Sequence, residues 1–358
     1  MRSEGMARFR EAAGGDVDRI THKALAATCG VSVSTIDRIM TGRLPVKRAT
    51  VEQVLEVAEH IGFHGVAIIR SRLRTEAPAC RIGLLLNTRE RRTFLDMAHH
   101  AQSIAESRHD IQARLITRHL TSPDPDTTVA ALLDLERQCD VIACHCIDHP
   151  KVRSAVQDLA HRGVPALPVI SGLTCETTPG LIASNEMELG RTAAWFMARL
   201  AGPEGCIGLV NGGAFFHNQQ TEEEGFRAFL RERDSRLSVL PALSSDECDI
   251  GAARAVTTLL GQAGSRLRGI FVIGGGLEGA VAALRDARRS DICVVGNELT
   301  ETTRAMLKSG QVHVILEHPG LEIMAGAISA IAEWASGAEQ SLWIKREFPF
   351  RVLLSENC

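Results

Sequence analysis

The sequence lacks the long apolar runs of membrane and exported proteins. No window approaches the about 18 consecutive apolar residues that cross a bilayer. The first ten residues contain no apolar stretch of signal-peptide length. These absences predict a cytoplasmic protein with no membrane partner.

Motifs for cross-links and common catalytic sites are also missing. The ten cysteines include no C-x-x-C pair, which favours reduced, buried thiols over a disulfide framework. The sequence has no P-loop, no H-E-x-x-H and no Ser-His-Asp spacing signature. The chain is therefore predicted not to be an enzyme and to need no cofactor.

A basic excess, which is usual in nucleic-acid-binding proteins, is absent from the whole chain but present in one part of it. The chain has 40 basic and 43 acidic residues, for a net charge of −3. Residues 1–76 hold 12 basic and 9 acidic side chains, a balance of +3, which leaves −6 for the remainder. This division predicts a small module that contacts phosphates, joined to an acidic body that does not.

Apolar residues at helical spacing occur in three bursts within residues 20–63, and they predict three short helices. A break falls at Gly30, whose lack of a side chain suits a tight turn between two helices. Ser32 is placed to cap the second helix, Thr50 to begin the third and Gly62 to end it. Two helices joined by so short a turn are typical of a helix-turn-helix domain.

The second helix is predicted to expose a polar face. Val33, Ser34 and Arg38 lie along this face, and Arg38 is able to bind a guanine edge through two hydrogen bonds. Ser32 and Thr35 are expected to face phosphates, together with the first helical N–H groups. The alternative is a helical hairpin that packs against the rest of the protein without binding DNA, because its sequence pattern would be the same.

Residues 20–63 resemble the DNA-binding headpiece of the lactose-repressor (LacI) family of bacterial transcription regulators. The match runs through Ile-Thr at 20–21, Gly-Val-Ser-Val-Ser-Thr-Ile-Asp-Arg-Ile-Met-Thr-Gly at 30–42 and the third helix at 50–63. The resemblance implies base-reading positions at Val33, Ser34 and Arg38, and phosphate-facing positions at Thr21, Ser32, Thr35 and Thr50.

The Arg-rich residues 66–74 occupy the position of that family's hinge helix. In the family this helix folds on operator binding, and a leucine wedges into the minor groove and bends the DNA. This chain has Arg72 at the expected leucine position and Leu73 one residue later. Arg70, Arg72 and Leu73 are the candidate contacts. Three alternatives stay open: Leu73 wedges, Arg72 enters the groove through its charge, or the segment is an ordinary linker.

After residue 78 the pattern changes to short apolar runs that alternate with helical segments. This alternation predicts parallel βαβ units, and so many strands favour two doubly wound lobes over one sheet. The predicted strands are residues 82–86, 113–116, 141–143, 166–170, 181–183, 207–210, 270–273, 292–295 and 312–316. The predicted fold class is α/β, with a three-helix helix-turn-helix headpiece and a two-lobed body.

Residues 80–355 resemble the effector domain of the LacI family, which has the periplasmic sugar-binding-protein fold. The resemblance is carried by residues 184–194, Gly225-Phe226 and residues 269–276, 295–304 and 314–319. It implies two lobes joined by three crossovers, a ligand in the cleft and a homodimer formed through the lobes. The predicted organisation is a disordered leader at 1–16, a helix-turn-helix domain at 17–64, a hinge at 65–78 and an effector domain at 79–358, with an N lobe at about 79–185 and 312–338 and a C lobe at about 186–311 and 339–358.

Ligands of open α/β sheets bind beyond the carboxyl ends of the strands. The residues that follow the predicted strands are therefore the cleft candidates: Asn87, Phe94, His145, Gly172, Ser184, Glu222, Gly275, Glu298 and Glu317. The three carboxylates show no clear arginine partner, so they are expected to repel an anion. A neutral sugar, a polyol or an amine is the predicted effector. The alternative for each glutamate is a solvated or hinge-bridging carboxylate.

Gly274, Gly276 and Gly279 form a literal G-x-G-x-x-G between a predicted strand and a predicted helix. Glu298 follows the next strand at about the offset of the acidic residue in a dinucleotide fingerprint. An NAD(H)-sensing regulator or a dinucleotide-binding oxidoreductase is therefore the alternative function. Against it, the motif lies late in the chain rather than at the first βα turn of a domain.

Residues 144–149, Cys-His-Cys-Ile-Asp-His, contain ligand types that bind zinc. On a strand, Cys144 and Cys146 point to one face and His145 to the other, so the three do not easily share a tetrahedral site. No metal site is predicted.

The sequence thus predicts a homodimeric transcription regulator, a repressor, that binds a pseudo-palindromic operator through two helix-turn-helix modules. A small ligand in the cleft is expected to change operator affinity through linkage between the two binding sites.

Overall fold

The computed structural model describes residues 20–178, 180–213, 215–233, 235–337 and 344–358 of the 358-residue chain. The chain forms two compact units: the first extends to Ala79 and includes Arg108–Gln112, and the second comprises Cys80–Ser107 and Ala113–Cys358. The leader predicted at residues 1–16 lies outside the described residues. Within the described ranges, none of the helices combines the length and the hydrophobicity needed to cross a membrane.

The described part of the first unit, here called the headpiece, contains α1 (His22–Cys29), α2 (Val33–Thr41), α3 (Arg48–Ile61) and α4 (Val66–Thr75). The first three confirm the helices predicted from the apolar spacing, although α3 begins at Arg48 rather than at Thr50. All four helices contribute side chains to one hydrophobic core.

The turn between α1 and α2 has the predicted chemistry. Gly30 adopts φ 67°, in the left-handed region that glycine enters without a steric penalty. The Ser32 hydroxyl accepts the N–H of Thr35 at 3.1 Å and so caps α2. Gly62 ends α3 at φ 73°, as predicted. These residues orient α2 against α1 in a helix-turn-helix.

The predicted hinge at residues 65–78 forms α4, which packs as a fourth helix of the headpiece. Ile69 and Leu73 are 0% and 1% exposed and belong to the same core as α1–α3. They lie one helical turn apart, so they share the face of α4 that points to this core. Arg70 pairs with Glu59 of α3 at 2.6 Å. The structure therefore differs from the expected hinge, in which Leu73 is exposed to enter DNA.

Arg72 is bound to the end of α2. Its Nη2 atom donates a hydrogen bond to the carbonyl oxygen of Thr41 at 3.1 Å, and its guanidinium lies against Gly42. A cation at this place is favourable because the last carbonyls of a helix carry partial negative charge. Arg72 thus stabilises the C-terminal end of α2.

The second unit alternates strands and helices. Its elements are β1 (Ala79–Leu86), α5 (Arg92–Ser107), β2 (Gln112–His119), α6 (Pro125–Glu136), β3 (Val141–Cys144), α7 (Pro150–His161), β4 (Ala166–Pro168), β5 (Gly180–Ala183), α8 (Glu186–Leu200), β6 (Glu204–Asn211), α9 (His217–Glu232), β7 (Arg236–Val239), β8 (Leu243–Ser244), α10 (Asp249–Ala263), β9 (Leu267–Val272), α11 (Leu277–Asp286), β10 (Cys293–Gly296), α12 (Glu301–Lys308), β11 (Val314–Glu317), α13 (Gly320–Ala335), β12 (Ile344–Glu347) and β13 (Arg351–Leu353).

These strands form two lobes. In the first lobe the order is β2-β1-β3-β4, and β5, which pairs with β12, is linked to β4 by a bridge between Val169 and Ile182. In the second lobe the order is β13-β11-β10-β9-β6-β7, with β8 also paired to β6. Hydrophobic clusters formed by α8 and α9 and by α10 and α11 pack with the strands of the second lobe. The predicted two-lobed α/β architecture is confirmed.

Among the described elements, the chain crosses between the lobes three times: after β5, after β11 and after β12. The lobe boundaries differ from those expected at residues 312 and 339. β11 pairs with β10 of the second lobe, and β12 pairs with β5 of the first. Helix α13, which follows β11, packs against α5 of the first lobe. The sequence indicates where a strand lies, but tertiary pairing decides which sheet receives it.

Candidate functional site

The cleft between the two lobes contains a cavity of about 300 Å³, within the range of small-ligand pockets. Its lining comes mainly from residues that follow the carboxyl ends of strands in both lobes, as expected for an α/β protein. The residues that matter below are Arg91, Phe94, His145, Ile170, Asn218, Gln219, Glu222, Gly274, Asn297, Glu317 and His318.

The structure places the sequence-predicted cleft residues in two groups. Phe94, His145, Glu222 and Glu317 line the cavity. The others do not line it. Asn87 and Ser184 are buried directly after β1 and β5, and Gly172 is half-buried. Gly274, rather than the predicted Gly275, lines the cavity. Glu298 lines an adjoining groove.

Aromatic rings form one wall of the cavity. The rings of Phe94 and His145 stack with centroids 5.0 Å apart, and His145 stacks in turn on Phe216 at 5.7 Å. Burial, with the nearby charge of Arg91, lowers the pKa of His145 to about 3. The imidazole is therefore neutral at physiological pH and has one unpartnered ring nitrogen, Nδ1.

Arg91 of the first lobe bridges two carboxylates of the second lobe. It forms an ion pair with Glu247, and its Nε lies 3.3 Å from Oε1 of Glu298. The hydroxyl of Thr93 donates to the same Glu298 oxygen at 3.0 Å. The side chains of Arg91, Glu247 and Glu298 are 13%, 2% and 10% exposed. This buried bridge holds the two lobes in contact at the cavity.

The expectation that the cleft carboxylates lack arginine partners is wrong for two of the three. Arg91 neutralises Glu298, and Arg351 lies 3.6 Å from Glu317. Arg91 comes from the loop after β1, and Arg351 from β13. Both partners are remote in sequence from the carboxylates, so spacing alone did not reveal them.

Glu222 meets Glu186 and His318 at the boundary between the lobes. The Nε2 atom of His318 lies 3.4 Å from Glu186 and 3.8 Å from Glu222, and Asn297 donates its Nδ2 to Glu222. Burial raises the pKa of Glu222 to about 8, and burial together with Glu222 raises the pKa of Glu186. Burial also lowers the pKa of His318 to about 4.

Several buried polar atoms around the cavity have no hydrogen-bond partner. These atoms are Nδ1 of His145 and His318, Oδ1 of Asn218 and Asn297, and Oε1 of Glu222. Nearly all buried polar atoms in folded proteins are hydrogen-bonded, so a concentration of exceptions needs a cause. These atoms are available for hydrogen bonds to a polar ligand in the cavity.

Ile170, which follows β4, lines the cavity in a strained conformation. Its φ is 66°, a region that β-branched residues rarely occupy. The N–H of Ser171 bonds to the carbonyl of Val169 at 2.7 Å, which closes a tight turn around Ile170. Such strain is typical of positions where surrounding structure must orient a side chain toward a site.

The Gly-rich segment serves helix packing. A Cβ on Gly279 would lie 2.1 Å from the carbonyl oxygen of Asp249, and one on Gly276 would lie 2.6 Å from Ala252. These glycines let α11 approach α10. The N–H of Gly279 already donates to the Asp249 carboxylate at 2.9 Å, at the helix end where a pyrophosphate binds in dinucleotide folds.

Addition of NADH is therefore expected to change neither nicotinamide fluorescence nor the Tm of the protein. The Asp249 carboxylate occupies the helix end and repels phosphate. Fluorescence titration and thermal unfolding check this prediction. Saturable enhancement of NADH fluorescence by the protein would restore the dinucleotide alternative.

The exposed face of α2 carries the residues predicted to read bases. Val33, Ser34 and Arg38 are exposed, while the opposite face buries Ile36 and Ile39. The predicted phosphate-facing residues have these positions: Ser32 at the N-cap of α2, Thr35 in its first turn, Thr21 as the N-cap of α1, and Thr50 in the first turn of α3.

Sequence reasoning missed several cleft residues. Asn297 and His318 directly follow β10 and β11, so a strict use of the strand-end rule finds both. Arg91 lies in the loop before α5, and Asn218 lies in the first turn of α9. Nothing in the local sequence distinguishes these two from ordinary surface residues, because their place in the cavity depends on the lobes meeting.

The comparisons with known proteins agree with this architecture. Residues 6–60 match a helix-turn-helix domain family, and residues 83–339 match the periplasmic binding protein domain family. No curated protein matches the chain.

Similar solved structures include an ABC transporter solute-binding protein from Agrobacterium vitis bound to α-D-tagatopyranose. It has a TM-score of 0.72 and 21% identity, over 78% of this chain and 95% of that one. A solute-binding protein from Burkholderia graminis in complex with D-arabinose has a TM-score of 0.70 and 18% identity, over 79% and 97% of the two chains.

A protein from Bacteroides fragilis, assigned as a LacI transcriptional regulator, has a TM-score of 0.69 and 17% identity, over 78% of this chain and 98% of that one. At such identities these structures establish the fold. With a family match that spans both lobes, the chain belongs to the periplasmic binding protein domain family.

Proposed function

We propose that this protein is a transcription repressor of the LacI type, whose operator affinity is controlled by a small polar ligand in the interlobe cavity. The observation that carries the proposal is one chain with both a helix-turn-helix that exposes Arg38 and a cavity surrounded by unpartnered buried polar atoms. Neither matching family describes an enzyme.

The DNA-binding half of the proposal rests on the surface of α2. Arg38 projects from an exposed helix face, and a guanidinium in the major groove recognises guanine through two hydrogen bonds. One such helix contacts only a few base pairs. A homodimer on a pseudo-palindromic operator doubles the contacts and supplies the affinity that a repressor needs.

The ligand half rests on the polar cavity. Unpartnered amide, imidazole and carboxyl groups beside a stack of aromatic rings suit a neutral sugar, a polyol or an amine. The structurally similar proteins from A. vitis and B. graminis hold tagatose and arabinose. A ligand that binds one lobe arrangement more tightly shifts the population toward it, and operator affinity changes by the same coupling free energy.

Arg38→Ala is expected to weaken binding to a selected operator at least about 30-fold, because it removes a bidentate base contact of about 1–3 kcal/mol from each of the two subunits. Fluorescence anisotropy with an operator selected from random DNA measures the change. The control is Arg114→Ala, which removes the same charge from an exposed strand position in the second unit. Equal binding of wild type and Arg38→Ala to every DNA sequence would overturn the proposal.

A thermal-shift screen of sugars, polyols and amines tests the ligand half. A ligand at 100 times its Kd stabilises the folded protein by about 2.7 kcal/mol, which raises the Tm measurably. A stabilising compound should also change operator affinity. A compound that binds the cavity without any effect on operator affinity would contradict ligand control.

A further inference from the structure

Two carboxyl groups at the lobe boundary lack a positive partner. Glu186, the first residue of α8, and Glu222 of α9 are 7% and 0% exposed. Of the described basic groups, His318 alone lies within 4.0 Å of either carboxylate, and its pKa near 4 leaves it uncharged at neutral pH. The other two predicted cleft carboxylates, in contrast, each have an arginine.

The oxygens of this Glu186–Glu222 pair have unused hydrogen-bonding capacity. Both oxygens of Glu186 and Oε1 of Glu222 are buried and have no hydrogen-bond partner outside the pair; within the pair, a carboxyl–carboxylate hydrogen bond raises the pKa of Glu186. Glu222 lines the ligand cavity, and a carboxylate oxygen of Glu186 lies within 4.8 Å of one of its own. Three buried acceptor oxygens and no neutralising cation match the chemistry of a primary ammonium group, which carries one positive charge and three donors.

We infer that the effector carries a primary ammonium group, which the Glu186–Glu222 pair binds, and that the effector is an amino sugar or an amino polyol. The inference rests on the proposed ligand control and names the ligand class. The remaining unpartnered atoms, on His145, Asn218 and Asn297, bind hydroxyl groups, and the Phe94–His145 stack packs against the carbon skeleton.

A metal ion fits Glu186, Glu222 and His318 less well than an ammonium group does. Ligand atoms of Glu186, Glu222 and His318 lie within 4.8 Å of one another, close enough to surround one ion. A metal-bound histidine, however, donates its other ring N–H to an acceptor that fixes its orientation. Nδ1 of His318 is buried without any such partner.

Ammonium binding is expected to release protons near neutral pH. Without a ligand, burial favours the protonated form of both carboxyls, whereas an ammonium favours the ionised form. The groups that face the pair are His318 and Asn297, and Glu247 and Glu347 add negative potential. Titration calorimetry in buffers of different ionisation enthalpy measures the released protons.

The test compares matched amine and hydroxyl compounds: D-glucosamine with D-glucose, D-galactosamine with D-galactose, and ethanolamine with ethylene glycol. Calorimetry on the full chain at pH 7 should show the amine of at least one pair binding ten or more times more tightly than its hydroxyl partner, with proton release. Glu222→Gln and Glu186→Gln should each reduce this preference to less than threefold. Glu224→Gln, at an exposed position of the same helix, should retain it.

Three results would overturn the inference. The first is equal binding of amine and hydroxyl partners, or binding of neither, in all three pairs. The second is an amine preference that survives both glutamine variants while circular dichroism shows that they are folded. The third is tight binding of Zn²⁺, Mn²⁺ or Ca²⁺ that Glu222→Gln abolishes. A neutral sugar that binds and releases operator DNA would reject the amine while leaving ligand control of DNA binding intact.

Discussion

Arg91→Ala should destabilise the second unit by about 3–5 kcal/mol. The substitution removes the only ion-pair partner that the described structure shows for Glu247 and for Glu298, whose side chains are 2% and 10% exposed. Each then keeps a buried charge without a counter-ion, and the two lobes lose the bridge between them. Urea unfolding followed by circular dichroism measures the loss.

The neighbouring residue supplies a matched control. Arg92 pairs with Asp96 at 2.9 Å, but the two side chains are 66% and 43% exposed. Water screens such a pair, so Arg92→Ala should cost less than about 0.5 kcal/mol. Arg91→Ala combined with Glu247→Gln should recover part of the loss, because the amide no longer carries a charge and keeps its contact with Gln219. Equal stability of Arg91→Ala and Arg92→Ala would show that the bridge does not hold the lobes.

The Arg91 bridge also shows where sequence analysis reaches its limit. The strand-end rule found four of the cavity residues: Phe94, His145, Glu222 and Glu317. It succeeded because the end of a strand can be located from the local apolar pattern of a single sequence. The partner of Glu298 lies more than two hundred residues away, at Arg91, in the other lobe. No periodicity or spacing links the two positions, and the predicted excess of unpaired carboxylates was wrong for that reason.

The strands show the same division between local and tertiary information. All nine predicted strands correspond to observed ones, because each is a short apolar run between polar or Gly-containing segments. Four strands were missed: β7, β8, β12 and β13. They are only two to four residues long. The side chains of β7, β8 and β13 are mostly exposed or half-buried, so these strands are not continuous apolar runs. The boundary expected at residue 339 was wrong because β12 and β13 were missed, and the one expected at residue 312 was wrong because β11, although predicted as a strand, pairs with β10 of the second lobe.

In the headpiece, local signals were sufficient for the helix-turn-helix but not for α4. These signals are local: the backbone conformations of Gly30 and Gly62 end α1 and α3, and the Ser32 hydroxyl caps α2 through a residue three positions away. These roles therefore follow from the sequence. The burial of Leu73 depends instead on contact with a core formed by α1–α3. The resemblance to a hinge helix made that residue one of the candidates for DNA contact, whereas the structure places it in the core.

Leu73→Ala therefore distinguishes a fourth structural helix from a hinge that folds only on DNA. Leu73 is 1% exposed, and truncation of a buried leucine costs about 2–5 kcal/mol, a large share of the stability of so small a unit. In the absence of DNA, hydrogen exchange of the Val66–Thr75 amides in the full chain should be slow in the wild type and much faster in Leu73→Ala. The headpiece amides in α1–α3 should exchange faster as well, because one core connects all four helices.

Ile68→Ala is the control on the same helix. Ile68 is 45% exposed, so its truncation leaves the core intact. The opening free energy obtained from amide exchange should therefore change by less than about 0.5 kcal/mol. A hinge that folds on operator binding gives the opposite pattern: the α4 amides exchange rapidly in the free wild type, and Leu73→Ala lowers operator affinity without any effect on the free protein. Slow exchange of a folded α4, which ends at Thr75, would also mean that ligand control does not act through folding of α4.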